Sequence, residues 1–394
     1  MKDLSQKVKI VNESPLTKLD TMVQDMRRED KTIIALNAGQ PSFASPLYFV
    51  KEIENASKKD GNNFYTKVRG SDESRDAISM FQRNIFSMEY NRDEIVLTNG
   101  AKEGVSMSLA AILNSNDEVI IVKPYWSTYV DAVTFWGGKP VVVDSNNDFH
   151  LNIEDIRKSI TSKTKAIIIN SPNNPTGVIY TKEELSELAK LTIDNDLYVI
   201  SDEIYSTITY DKNAFSVSCI EGMKERTIVV NGFSKSLSAT GYRLGYILAS
   251  ENIISAIGVI KSSLNGNVNS LFQMAITEII QNHFDEVKVS FREMREAFEE
   301  RKTILCNRLS KLGIEYSIPD GAFYVFAKIP ESFNMKSNKF AEFILKNAKV
   351  AVSPGIFFGD GYDDYIRISF SSEEKEIKEA LDRIDKVFNT REVL

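Results

Sequence analysis

The chain has 394 residues, 42% hydrophobic and 26% charged, with a net charge of −7. That length holds one large or two ordinary domains with sizeable cores, and the composition is that of a soluble globular protein. The acidic balance, without any basic cluster interleaved with aromatics, argues against a nucleic-acid partner.

In chain order, residues 1–45 read as an arm, with a helix over 16–29 and a strand over 32–36. The turn Asn37-Ala-Gly39-Gln-Pro41 brings backbone close to another group. Helices at 46–60 and 72–87 flank a polar loop, Asn63 to Gly70, that carries Tyr65. Strands over 94–98, 117–122, 139–143, 165–170, 197–201 and 227–230 then alternate with helices, among them 153–160 and 183–195. This alternation predicts an α/β fold with a mostly parallel sheet wrapped on both faces. The amphipathic stretch 270–312 is too long for one ordinary helix and is expected to break or to link two domains. Strands at 321–326 and 364–370, with helices at 338–347 and 373–389, form a smaller α+β unit.

Residues 1–11 lack the apolar core of a signal peptide, and no apolar run reaches the ~18 residues of a membrane span. Cys219 and Cys306 lie far apart without metal-ligand spacing, which fits a reduced, cytoplasmic setting. Only two histidines occur, and neither sits in a zinc or Ser-His-Asp motif, so no metal site is expected. His150 reads as a solvated loop residue and His283 as a surface position in an amphipathic pattern.

The stretch Thr227–Tyr246 organises the rest. Its β-branched run ends at Asn231-Gly232 and delivers Ser234-Lys235 into a loop of small residues, with Arg243 following between Gly241 and Gly245. Burial lowers a lysine's pKa towards that of a nucleophilic amine, which suits attack on an aldehyde, and an arginine between glycines can clamp a phosphate. An ordinary surface loop holding one Lys and one Arg reads equally well from this stretch alone.

Ligands of open parallel sheets bind beyond the strands' carboxyl ends. Five clusters fall there: Gly100-Ala101-Lys102, Tyr125-Trp126, Asn174, Asp202 with Tyr205, and Ser234-Lys235. Each has a use if the ligand is pyridoxal phosphate. Gly100-Ala101-Lys102 opens a helix whose free N–H groups favour a phosphate, and Trp126 can stack on a flat ring. Asn174 and Tyr205 can donate to the ring hydroxyl. Asp202 closes an apolar run, so its carboxylate needs a partner such as a protonated pyridine nitrogen. Taken singly, each cluster is also an ordinary turn or core feature.

Four motifs carry a resemblance: Ser171-Pro-Asn-Asn-Pro-Thr-Gly177, Ser201-Asp-Glu-Ile-Tyr205, Ser234-Lys235-Ser with Gly241-Tyr-Arg243-Leu-Gly245, and Tyr365-Ile-Arg367. Together they resemble the class I/II aminotransferases, from about Gly39 to Arg367. The resemblance implies fold type I: a large domain with a seven-stranded sheet, a small domain from both chain ends, and a homodimer with shared active sites. The expected division is an arm over 1–45, a cofactor domain over 46–285 and a small domain over 286–394. By motif position Lys235 corresponds to the cofactor-bonding lysine, Asp202 to the pyridine partner, and Asn174 and Tyr205 to the hydroxyl ligands. Arg243 corresponds to a phosphate ligand, Arg367 to the α-carboxylate arginine, Trp126 to the stacking residue and Gly39 to a backbone contact near the substrate. Tyr65 corresponds to a phosphate contact across the dimer. Gly232 stands where some relatives have a phosphate-binding serine, leaving neighbouring Ser234, and no second cation for an acidic side chain is assigned.

The implied reaction moves the amino group of an L-amino acid, aspartate or aromatic among the candidates, to a 2-oxo acid such as 2-oxoglutarate. A carbon–sulfur β-lyase of the same fold is the alternative. A transcription regulator with an aminotransferase-like domain would need a DNA-binding module, for which the first 45 residues offer no room.

Overall fold

The computed structural model describes residues 3–5, 7, 11 and 13–391. Its strands are β1 (Ile34–Ala35), β2 (Ile95–Thr98), β3 (Glu118–Lys123), β4 (Lys139–Asp144), β5 (Thr164–Asn170) and β6 (Tyr198–Asp202). They continue with β7 (Thr227–Gly232), β8 (Gly245–Leu248), β9 (Tyr324–Lys328), β10 (Val350–Ala351), β11 (Ser353–Pro354) and β12 (Tyr365–Ser369). Seven strands form one sheet in the order β2-β8-β7-β6-β5-β3-β4. All neighbours are parallel except β8, which runs against both β2 and β7.

Central strands such as Ala166-Ile-Ile-Ile-Asn170 are buried throughout because helices cover both faces, so they read as continuous apolar runs. The edge strand β4 is buried only at Val143 and tolerates Pro140, which has no N–H for a further partner. Helices Ala101–Ile112 and Glu251–Leu264 share a core on one face, and Lys182–Asp194 packs into the core of the other.

Register decides where the site lies. Asn170 pairs with Asp202, Asp202 with Val230, Gly232 with Gly245, and Gly245 with Thr98. The carboxyl ends of β2, β7, β6 and β5 therefore finish at one level, and the amino end of antiparallel β8 joins them there.

The stretch expected to break does so at His283, between helices Ser270–Asn282 and Phe284–Lys311. The second buries Met294, Phe298, Leu305 and Leu309 against the antiparallel sheet β11-β12-β9 and its helices Ser337–Ala348 and Glu374–Arg391. Strand β1 pairs with β10, so the segment after the first helix joins this C-terminal unit. His150 departs from expectation: it is half-buried, with Nδ1 2.8 Å from Glu184 Oε2, and that carboxylate also accepts from Leu151 N and Thr181 N. A capping carboxylate within reach draws the imidazole out of solvent and raises its pKa.

Candidate active site

At the level end of the sheet lies a cavity of about 280 Å³. Strand β6 places Asp202 there, 3% exposed. Tyr129 OH donates to its Oδ2 at 2.7 Å and Ile204 N to its Oδ1 at 3.2 Å. Burial nevertheless pushes its carboxyl up to about 6, because two neutral donors do not replace a counter-ion. Next to it, β7 runs into the short helix Phe233–Ser236, which carries Lys235. Burial, and then the nearby guanidinium groups of Arg367 and Arg243, lower its pKa to about 8. The ammonium donates to Gly39 O.

Arg243 reaches the cavity because β8 is antiparallel and begins at Gly245, two residues after the arginine. Its Nη1 donates to Thr240 O at 2.9 Å and Nη2 to Asn99 O at 3.1 Å. Two glycines make room for this crossing. A Cβ on Gly100 would lie 2.6 Å from Arg243 Nη2, and one on Gly245 would lie 2.7 Å from Gly100 C. Gly100, at φ 86°, also opens helix Ala101–Ile112. Behind that turn, fully buried Lys261 pairs with Glu103 at 2.6 Å and fixes the helix start.

The opposite wall comes from the C-terminal unit and the first helix. Arg367 on β12 is 3% exposed, with its guanidinium 4.4 Å from the Tyr324 ring and 5.0 Å from the Phe358 ring. Nη1 donates to Asn174 Oδ1 at 2.9 Å, and Nη2 to Asn37 O at 2.7 Å and Ser353 Oγ at 3.2 Å. Its buried Nε–H has no partner among the described residues, so the fork keeps donor capacity for a carboxylate. Tyr205 OH lies 2.9 Å from Tyr324 OH.

The cavity brings together Gly39, Ala101, Lys102, Trp126, Asn174, Asp202, Tyr205, Ser234, Lys235, Arg243 and Arg367. Tyr65 is apart, 96% exposed on its loop. Of the Tyr125-Trp126 cluster only Trp126 lines the cavity, and Tyr129, three residues further on, lines it as well. Sequence reasoning also missed Tyr324 and Asp20. Asp20 had a legible signal, an acid on the inward stripe of an amphipathic helix. Tyr324 had none, since it arrives from another sheet.

These residues fit pyridoxal phosphate. A buried carboxylate lacking a counter-ion suits a protonated pyridine, a lysine depressed to about 8 suits an aldehyde, and a glycine-cleared arginine beside a helix start suits a phosphate.

A buried lysine, a carboxylate and two arginines at the carboxyl edge of a mostly parallel sheet define a site for carbonyl–amine chemistry on an anionic ligand. The sequence matches the family described as "Aminotransferase class I and II" over residues 31–384. It is 35% identical to aromatic-amino-acid aminotransferase 2 of Thermococcus litoralis, over 99% of this chain and 100% of that one. It is also 35% identical to an aspartate aminotransferase of Pyrococcus abyssi, over 99% of each chain. Aspartate aminotransferase from Thermus thermophilus, solved with maleate, superposes with a TM-score of 0.94 at 32% identity, covering 98% of this chain and 100% of that one. The chain belongs to the class I and II aminotransferase family, and it is a fold-type I aminotransferase.

Proposed function

We propose that the protein uses pyridoxal phosphate to move the amino group of an L-amino acid to 2-oxoglutarate, as a cytoplasmic homodimer with shared active sites. The observation that carries this reading is the convergence of Lys235, Asp202, Arg243 and Arg367 on one cavity. When bound, the cofactor supplies an aldehyde and an electron-accepting ring. Arg243 and the start of helix Ala101–Ile112 hold its phosphate. Asp202, oriented by Tyr129, holds its ring nitrogen, and Asn174 and Tyr205 donate to its ring hydroxyl. Arg367 binds the substrate α-carboxylate as a fork. Lys235, with a pKa of about 8, takes and returns the proton of the substrate α-carbon near neutral pH.

Lys102 is a further cation in the cavity. Burial lowers its pKa, and its Nζ lies 5.6 Å from the centre of the Trp126 ring. It suits the distal carboxylate of 2-oxoglutarate and supports an acidic partner substrate. The pairing of β1 with β10 supports an arm over 1–45 that belongs with a small domain over 286–394, against a cofactor domain over 46–285. The relatives' names favour transamination over β-elimination.

The test is a panel of L-amino acids with 2-oxoglutarate and the cofactor. Glutamate and the matching 2-oxo acid are expected; pyruvate with ammonia from a cysteine conjugate, and no glutamate, would replace this reading with the lyase.

A further inference from the structure

Helix Pro15–Glu29 closes one side of the cavity, through Leu16, Thr17 and Asp20, and Ser14 lies at its start. Its inward stripe is apolar at Leu16, Leu19, Val23 and Met26. Asp20 interrupts that stripe one turn after Leu16 and three residues before Val23. An apolar side chain there would continue the core, whereas a carboxyl carries a desolvation cost. Burial indeed raises its pKa, against the lowering influence of Arg367 and Lys235. Asn37 Nδ2 donates to Oδ1 at 2.5 Å, and no described group donates to Oδ2. One carboxyl oxygen is thus anchored, while the other is left for a ligand.

Among the charged cavity residues, Lys235, Asp202, Arg243 and Arg367 are occupied by the roles above. Lys102 and Asp20 remain, and they have opposite sign. An aminotransferase must pass two side chains through one cavity, the donor's and the acceptor's, and a charge of each sign lets one cavity take two unlike partners. We propose that Asp20 is a specificity residue that selects amino donors whose side chain ends in an amine or other cationic group, with Lys102 serving the acidic acceptor. This rests on the aminotransferase reading.

The test follows the cofactor's absorbance as each amino acid reacts with the holoenzyme in a single half-reaction. Donors are paired so that only the terminal amine differs: 2,4-diaminobutyrate with 2-aminobutyrate, ornithine with norvaline, lysine with norleucine. In the native enzyme at least one amine-bearing member should exceed its partner in kcat/KM by roughly ten- to hundredfold, the range of a charge-assisted hydrogen bond. Asp20→Asn, which keeps an oxygen for Asn37, should bring that ratio close to one. Asn37→Ala removes the anchor but keeps the charge, and the ratio should stand. If Asp20 only tied the helix to the Asn37 turn, Asn37→Ala would be the harmful variant and Asp20→Asn would leave the ratio alone. That outcome, or native preference for the amine-free member of all three pairs, overturns the proposal while leaving transamination intact. A cofactor spectrum that no amino acid of any class changes overturns both.

Discussion

Lys235 and Glu203 show burial acting on single groups in opposite directions. For Lys235 the neutral amine is the reactive form, and burial brings its pKa from 10.5 to about 8. Capture of the cofactor aldehyde by the apo protein should therefore accelerate as pH rises through about 8; stopped-flow absorbance that rises only near 10.5 would contradict this. Lys235→Ala should lose turnover by ~10²–10⁴ or more while retaining cofactor. Glu203, beside Asp202, accepts from Ser216 Oγ at 2.6 Å and Ser201 Oγ at 2.9 Å, yet burial pushes it up to about 7. Below about pH 4.5 it is protonated in folded and unfolded chains alike. Between 4.5 and about 7 it ionises readily only when unfolded, so folding stability should fall as pH rises across that window. Glu203→Gln should remove that part of the slope, and melting curves taken from pH 4.5 to 7 should show the variant gaining on the native protein. Parallel curves would contradict the assignment.

At the scale of elements, the crossing of β8 over the start of helix Ala101–Ile112 decides whether Arg243 and the helix meet the same phosphate. A Cβ on Gly245 would meet backbone on three sides, 2.7 Å from Gly100 C, 2.8 Å from Ala101 N and 2.9 Å from Asn231 O. Gly245→Ala should destabilise by about 1–3 kcal/mol, as overpacking does, and weaken cofactor binding, measured by melting and cofactor titration. Gly241→Ala is the control: nothing lies within 4 Å of its Cβ, and it should stay within about 0.5 kcal/mol. The strand–helix alternation was legible because central strands here are unbroken β-branched runs and their helices carry a 3.6-residue period. Strand β8 was not, since four residues, Gly245-Tyr-Ile-Leu248, carry no period, and helix Glu251–Leu264 after it drew no signal of its own. The site was legible where strand-end logic applies, from Gly100 to Lys235. Strand-end logic does not reach Tyr129, Tyr324 and Asp20, which sit inside a helix, on another sheet and on the arm; of the three, Asp20 alone carried a signal, as an acid on the inward stripe of its helix.

For the whole molecule, the position of Tyr65 bears on assembly. Its ring is 96% exposed on a loop outside the chain's own cavity, as a residue serving a partner subunit's cofactor would be. Tyr65→Phe should weaken cofactor binding roughly ten- to hundredfold, the worth of a hydrogen bond to a charged group. In hybrid dimers of Lys235→Ala with Tyr65→Phe subunits, the site that keeps Lys235 receives a native Tyr65 from its partner and should regain native cofactor affinity, whereas a subunit carrying both changes, paired with a native one, should leave that site weakened. A fully active monomer in solution would contradict the shared site. The proposed attachment of an aldehyde cofactor to Lys235 underlies all of these expectations. Its most direct measurement is borohydride reduction of the holoenzyme followed by peptide mass mapping. One pyridoxyl-bearing peptide is expected, modified at Lys235, with none in Lys235→Ala; labelling of another lysine in the native protein would contradict attachment at Lys235.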